Sequence, residues 1–195
     1  MKILKVLSIV LLLWSPIFIY GQIDYFPGYV VMESGDTIHG EIRDINEYSN
    51  CKTIKFRDSL EHRIKFKKRK VKLYYCGYDT YVKMKYTRLV LPRKAYMKIL
   101  QDGEAILYVH HFKRQYFGPS YLDSATRSIG YKDLSYYIEI DDKIKKISPA
   151  FFRMNMMKLL NDDEEILRRL KEREYNYDDI EDAIYVYNQR KSGRW

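Results

Sequence analysis

Two hydrophobic periods divide the chain. Before residue 148, apolar residues alternate with polar ones in short runs, as in strands that bury one face. After Pro149 they recur every three or four positions, as in amphipathic helices. The pattern predicts an α+β fold, in which an antiparallel β-sheet curled as a small barrel or sandwich is followed by two or three C-terminal helices.

Seven to nine short strands are expected. The turn sequences Ser34-Gly35-Asp36 and Asp102-Gly103 predict hairpins, because glycine reaches positive φ at little cost and Asp and Ser bond nearby backbone groups. Residues 113–133 lack a strand period, and we expect them to be irregular. The predicted strands cover residues 29–33, 37–42, 54–57, 63–67, 71–76, 81–86, 93–100, 105–112 and 135–140.

The two or three helices predicted after Pro149 correspond to three apolar segments. The second begins at Asn161 or Asp162 and the third near Asp178, and we expect the tail to fray from Arg190 onwards. The acidic run 162–165 lies where the second helix starts, which favours a capping role over a cation site or a pair of catalytic carboxylates. The apolar positions at helical spacing are Phe151, Met154, Met157 and Leu160 in the first helix, Ile166, Leu167 and Leu170 in the second, and Ile180, Ala183, Ile184 and Tyr187 in the third.

Residues 1–21 have the features of a secretory signal peptide. Lys2 and Lys5 flank the start of an apolar core, and Ile19 and Gly21 fit the cleavage positions. An uncleaved anchor is the alternative, since the apolar run approaches the ~20 residues that span a bilayer. We expect a cleaved, exported protein, either periplasmic, associated with the outer membrane or secreted. It would consist of a β-rich domain in residues 22–148 and a helical segment in 149–195 packed on it, with no transmembrane segment.

The chain is basic, with 35 Lys and Arg residues against 26 Asp and Glu in 195. Such an excess favours anionic partners. Because the signal peptide directs the chain out of the cytoplasm, nucleic acid is not the expected partner. The expected partner is an anionic envelope polymer or an envelope protein. The sequence has no glycine-rich phosphate loop, and no cofactor is predicted.

Four short motifs of the chain resemble exported proteins of the Bacteroidota. They are Phe26-Pro27-Gly28-Tyr29-Val30-Val31, Gly35-Asp36-Thr37-Ile38-His39-Gly40-Glu41-Ile42, Leu100-Gln101-Asp102-Gly103 leading to Leu107-Tyr108, and Tyr187-Asn188. The proteins that share this pattern are uncharacterised. The resemblance implies an envelope location and a β-rich domain that opens with a hairpin, and it implies no activity or catalytic residue.

A basic face is the most distinctive feature of the predicted strands. Basic and apolar residues alternate, so that one face is apolar and the other cationic. Like charges opposite one another in a sheet are destabilising, and a bound anion would relieve that cost, with Tyr74 and Tyr81 adding contact area. The alternative is a solvated face that prevents aggregation between strands. The candidate anion-binding residues are Lys55, Arg57, Arg63, Lys65, Lys67, Lys83 and Lys85.

Other candidate chemistry has less support. Ser34, Asp36 and His39 are close in sequence, but a hairpin turn explains their spacing without catalysis. His110 and His111 are adjacent in a strand and point to opposite faces, so they do not predict a metal site. We therefore predict no catalytic or metal-binding residue, and the enzyme alternative is a hydrolase acting on envelope material.

The chain has two cysteines, Cys51 and Cys76. Both lie at the edges of predicted strands, and an oxidising envelope compartment would permit a disulfide between them. Sequence alone does not fix the distance between them, so the bridge is one of two open alternatives.

Overall fold

A computed structural model of the chain describes residues 25–43, 53–88, 91–117 and 128–193. In this part the chain forms one ten-stranded antiparallel sheet followed by three α-helices. The predicted α+β fold is confirmed. The predicted signal peptide in residues 1–21 lies outside the described residues, as does Cys51.

The strands are numbered β1 to β10 and the α-helices α1 to α3 in chain order. The strands are β1 (Tyr25–Met32), β2 (Thr37–Arg43), β3 (Thr53–Arg57), β4 (Arg63–Lys67), β5 (Val71–Cys76), β6 (Asp79–Arg88), β7 (Leu91–Gln101), β8 (Ile106–Phe117), β9 (Ser128–Ile140) and β10 (Lys143–Ile147). The helices are α1 (Phe152–Leu159), α2 (Glu164–Lys171) and α3 (Ile180–Lys191). Three 3-10 turns, Lys68–Lys70, Pro149–Phe151 and Tyr177–Asp179, precede β5, α1 and α3.

The sheet is larger than the sequence predicted. The strand β10 was not predicted, because its sequence KIKKI is short and mostly charged. The prediction that residues 113–133 are irregular is wrong at both ends of that segment, since β8 continues to Phe117 and β9 begins at Ser128. Residues 113–117 pair directly with 128–132 in one long hairpin. Backbone pairing thus extends both strands into a region where the side-chain pattern is weak.

The strand order requires the first half of the sheet to curl. The order is β10-β9-β8-β7-β6-β5-β1-β2-β3-β4, so β4 and β5 are four strand positions apart. Four spacings in a flat sheet amount to ~19 Å. Only the turn Lys68–Lys70 joins the two strands, and the chain from Lys67 to Val71 can span at most ~14 Å. The strands β1 to β5 therefore curve towards one another without closing into a barrel.

The inner side of the curled strands holds the first hydrophobic core. Residues directly opposite one another in neighbouring strands share a face, and the register pairs Val30 with Tyr74 and Ile42 with Phe56. All four side chains are buried, as is Ile54. The basic residues of β3 and β4 alternate with these core residues, so they lie on the outer, convex face.

The three helices pack on the other end of the sheet and form a second core. The predicted apolar stripe of α3 is buried along its whole length. In α1, the sequence spacing identified the helix but not its buried face, because Phe152 and Met156 are buried whereas Phe151 and Met154 are exposed. The buried residues of this core are Ala105, Leu107, Ile138, Ile147, Phe152, Met156, Leu160, Ile166, Leu170, Ile180, Ala183, Ile184 and Tyr187.

The acidic run before α2 caps the helix, as the sequence indicated. The carboxylate of Asp163 accepts a hydrogen bond from the backbone N–H of Ile166 at 3.1 Å and another from Arg190 Nε at 2.7 Å. Burial alone would raise the pKa of Asp163, but these two donors outweigh it and hold the pKa below its ordinary value. Arg190 belongs to α3, which continues to Lys191, so the prediction of a tail frayed from Arg190 is wrong.

Asn188 joins α3 to the turn between β7 and β8. Its side-chain amide makes two hydrogen bonds to the backbone of Ala105, one in each direction and both 2.8 Å long. Gly103 lies under this amide, and a Cβ atom at Gly103 would come within 2.6 Å of Asn188 Cγ. The Asn188 amide thus satisfies the backbone N–H and C=O of the buried Ala105, as a neighbouring strand would. Glycine at position 103 leaves space for this amide.

We expect Asn188→Ala to lower the free energy of unfolding by about 2–3 kcal/mol, because it leaves the buried N–H and C=O of Ala105 without these partners. Urea unfolding followed by circular dichroism measures the change. Gln189→Ala, one residue along the same helix, is the matched control and should change stability by less than ~0.5 kcal/mol. Equal effects of the two substitutions would contradict the role assigned to the amide.

Candidate anion-binding site

The outer face of β3 and β4 gathers five of the predicted cationic residues. The register places Lys55 directly opposite Lys65 and Arg57 directly opposite Arg63, with Lys67 one row beyond them. These strands lie at the end of the sheet, where β4 is the last strand. We refer to Lys55, Arg57, Arg63, Lys65 and Lys67 as the basic face.

Most of the positive charge on the basic face is uncompensated. Arg63, Lys65 and Lys67 are exposed, and Lys55 is half-buried. Across the described part of the chain, no carboxylate lies within ion-pair distance of these four residues. Cross-strand pairs of like charge destabilise a sheet, so the free chain carries an electrostatic cost that a bound anion would remove.

Arg57 is the one member of the basic face that has an acidic partner within the described ranges. Its Nε donates to Glu41 Oε2 at 2.6 Å, and the hydrogen bonds with Glu41 raise the pKa of the guanidinium above its ordinary value. The guanidinium also lies over the ring of Tyr25, 4.8 Å from its centre. These contacts hold Arg57 in place beside the other cations of the same face.

Lys83 and Lys85 do not belong to the basic face. The register pairs Tyr74, a residue of the inner core, with Tyr81, so Lys83 and Lys85 alternate onto the inner face. Lys83 forms an ion pair with Glu33 and donates to the backbone oxygen of Arg69 at 3.0 Å, with only 10% of its side chain exposed. The structure therefore places these two lysines apart from the other five predicted residues, and Lys83 is held by contacts within the fold.

The two tyrosines that were expected to widen the site also lie on the inner face. Tyr74 is 5% exposed and stacks on Tyr81 with their ring centres 4.7 Å apart. Tyr81 is half-buried, and stacking of its ring on the buried ring of Tyr74 stabilises the core. The two rings do not offer contact area beside the outer cations.

Arg43, at the end of β2, is a further basic residue that was not among the anion-binding candidates predicted from the sequence. It borders a cleft of about 220 Å³ whose aromatic walls include Phe26 and Tyr81. The alternation of Thr37, His39 and Glu41 leads directly to position 43, so extending the predicted strand by one residue would have found it.

Cys76 borders the same cleft as Arg43. Its Sγ lies 3.6 Å from the carbonyl oxygen of Ile42. The disulfide between Cys76 and Cys51 stays a prediction, because Cys51 lies outside the described residues.

The structure does not bring Ser34, Asp36 and His39 together as a catalytic group. Ser34 and Asp36 lie in the turn between β1 and β2, and His39 lies on β2. The Ser34 hydroxyl donates to the Asp36 carboxylate at 2.6 Å, within a turn in which Gly35 has φ +99°. The ring of His39 lies on β2 against that of Tyr29, 5.5 Å away. The Ser34 hydroxyl is thus hydrogen-bonded to the Asp36 carboxylate, whereas in a catalytic triad the serine hydroxyl is hydrogen-bonded to the histidine.

The adjacent histidines of β8 are separated by the sheet. His110 is paired with Ser135 and His111 with Leu134, so the two rings project from opposite faces. The ring of His110 packs 4.9 Å from that of Tyr86. Within the described residues, no cluster of three or more His, Cys, Asp or Glu side chains has the geometry to hold a metal ion.

Comparisons of the chain with protein-family models, with curated proteins and with solved structures found no match. None of the helices in the described ranges combines the length and the hydrophobicity that crossing a bilayer requires. What defines the class of this protein is accordingly its own geometry, an open, curled antiparallel sheet with a convex cationic face at one end and a helical layer at the other.

Proposed function

We propose that this chain is a non-enzymatic, exported binding protein of the cell envelope, and that its basic face holds an anionic envelope polymer. The observation that carries the proposal is the pairing of Lys55 with Lys65, and of Arg57 with Arg63, on a convex surface where Glu41 is the partner of only one of the four. A repeating anion would fit repeating cations on neighbouring strands. Envelope location rests on the signal peptide predicted for residues 1–21.

The enzyme alternative, a hydrolase acting on envelope material, finds no convergent site in the described residues. The structure gives Ser34, His39 and His110 different contacts, which are Asp36, Tyr29 and Tyr86 respectively. A nucleophile, a base and a group that orients the base must meet at one point for hydrolysis. We therefore place binding first.

The substitution Lys65→Glu separates binding from folding. It puts a negative charge opposite Lys55, which should stabilise the sheet by a few tenths of a kcal/mol to ~1 kcal/mol. It also removes a cation from the site and adds an anion, so we expect the affinity for alginate, a polymer of uronic acids, to fall about tenfold in low salt. Isothermal titration calorimetry on the chain starting at Gln22 measures the affinity, and urea unfolding measures the stability.

A double variant, Lys143→Glu with Lys171→Glu, is the matched control. Both residues are exposed, and they lie on β10 and α2 at the other end of the molecule. The control changes the net charge twice as much as Lys65→Glu does. If it weakens alginate binding as strongly, the attraction comes from overall charge and the basic face is not the site.

A further inference from the structure

A concave apolar groove lies beside α1, at the opposite end of the molecule from the basic face. Its volume is about 790 Å³. One wall is formed by α1 and the 3-10 turn before it, and the other by residues 175–177 ahead of α3. Phe151, Met154, Met157 and Tyr177 supply its apolar surface.

Two of these side chains are unusually exposed for their type. Phe151 is 58% exposed and Met154 is 48% exposed. The fold does not need them in its core, because Phe152 and Met156 on the other side of α1 already fill it. Large apolar side chains left at the edge of a concavity are typical of an interaction site.

The rim of the groove is cationic. Arg153 and Lys158 line it, both are exposed, and within the described ranges neither has a carboxylate at ion-pair distance. Glu165 of α2 and Glu174, which directly precedes the groove wall, form ion pairs with Arg168 and Arg169 instead. An occupant should therefore combine apolar side chains with negative charge.

We propose that this groove binds a segment of a partner protein that carries apolar side chains flanked by Asp or Glu. The concave shape favours side chains that enter a cavity over a flat lipid surface. The charge of the chain, with 35 basic against 26 acidic residues, disfavours a second copy of itself. This site is independent of the basic face, because it lies on the helical layer and shares no residue with β3 or β4.

Selection from a library of displayed random 12-residue peptides tests the proposal on the chain starting at Gln22. We expect enrichment of peptides with two or more apolar residues next to acidic ones. Binding of the enriched peptides, measured by fluorescence polarisation, should fall by at least ~10-fold for Met154→Glu, since a charge at the centre of an apolar contact removes an anchor. Tyr185→Glu, at a 50% exposed position of α3, is the control and should leave the affinity unchanged.

The double variant Arg153→Glu with Lys158→Glu tests the charge of the occupant. Selection against it should enrich basic flanks in place of acidic ones. The proposal is overturned if no sequence is enriched, or if enriched peptides bind Met154→Glu as well as the unchanged chain. It is also overturned if Met154→Glu abolishes concentration-dependent self-association, or binding to phosphatidylglycerol vesicles, since the groove would then serve a second copy or a lipid surface.

Discussion

Replacing Gly28 or Gly40 by alanine is expected to lower the free energy of unfolding by about 3 kcal/mol, at the upper end of what overpacking a core costs. Such a loss is a large fraction of the stability of an ordinary domain. The two glycines face each other across β1 and β2. A Cβ atom at Gly28 would lie 2.1 Å from the carbonyl oxygen of Tyr75, and one at Gly40 would lie 2.3 Å from Cζ of Phe56. The first obstacle is backbone and the second is a buried ring, so neither can move away cheaply.

Gly35→Ala is the control for this prediction. Gly35 has φ +99°, and no atom of the described residues lies within 4 Å of the point where the alanine methyl group would stand, so only the backbone conformation opposes the substitution. The expected cost is about 1–2 kcal/mol. Urea unfolding of the three variants gives the comparison, and a Gly28→Ala protein as stable as Gly35→Ala would show that the strands do not approach as closely as described.

The second large effect is expected at alkaline pH, where buried tyrosines must ionise. Burial raises the pKa of Tyr137 to about 12 and raises those of Tyr96, Tyr108 and Tyr187 still further. For Tyr108 and Tyr187, hydrogen bonds from the hydroxyl to Glu139 and Asp162 add to the effect of burial.

Because the folded chain holds these four protons more tightly than the unfolded chain, their contribution to stability is complete below the ordinary tyrosine pKa of about 10 and is lost as the pH rises through the folded values. Four groups at about 1.4 kcal/mol per pH unit each give a slope of roughly 5–6 kcal/mol per unit. We expect a steep, cooperative unfolding above pH 10, in which tyrosinate absorbance at 295 nm rises together with the loss of circular dichroism.

Tyr108→Phe provides the control for the alkaline transition. It removes one of the four protons, and the slope of stability against pH should fall by about a quarter. A gradual titration of all tyrosines with the circular dichroism unchanged would contradict the burial of these hydroxyls.

Local patterns predicted the fold well because they act over a few residues. Alternation gave most of the strands and the 3.6 period gave the helices. The resemblance motifs also proved to be local structure: Gly28 and Gly40 permit close strand packing, Gly35 makes a turn, and Asn188 binds the backbone of Ala105 above Gly103. These residues shape the β-rich domain and bring no reactive group together.

The surroundings of the candidate site and the packing of α1 were predicted only in part, because both depend on contacts between distant residues. The pairing of Lys83 with Glu33 joins positions 50 residues apart, and no local pattern reveals it. Whether Phe151 or Phe152 is the buried ring at the start of α1 depends on how the helix meets β10 and α2. In contrast, the hairpin β3–β4 is local, and its cationic face is present in the alternation of the sequence.

The division of the interior into separate clusters has a consequence for how the chain opens. The core of the curled strands uses buried residues of β1, β2, β3 and β5, whereas the helical core uses buried residues from position 105 onwards. The strands β6 and β7, with Met84 and Met97 in a third cluster, connect the two. Each end therefore has its own free energy of local opening, and transient melting of the curled strands leaves the helical layer, with its groove, assembled.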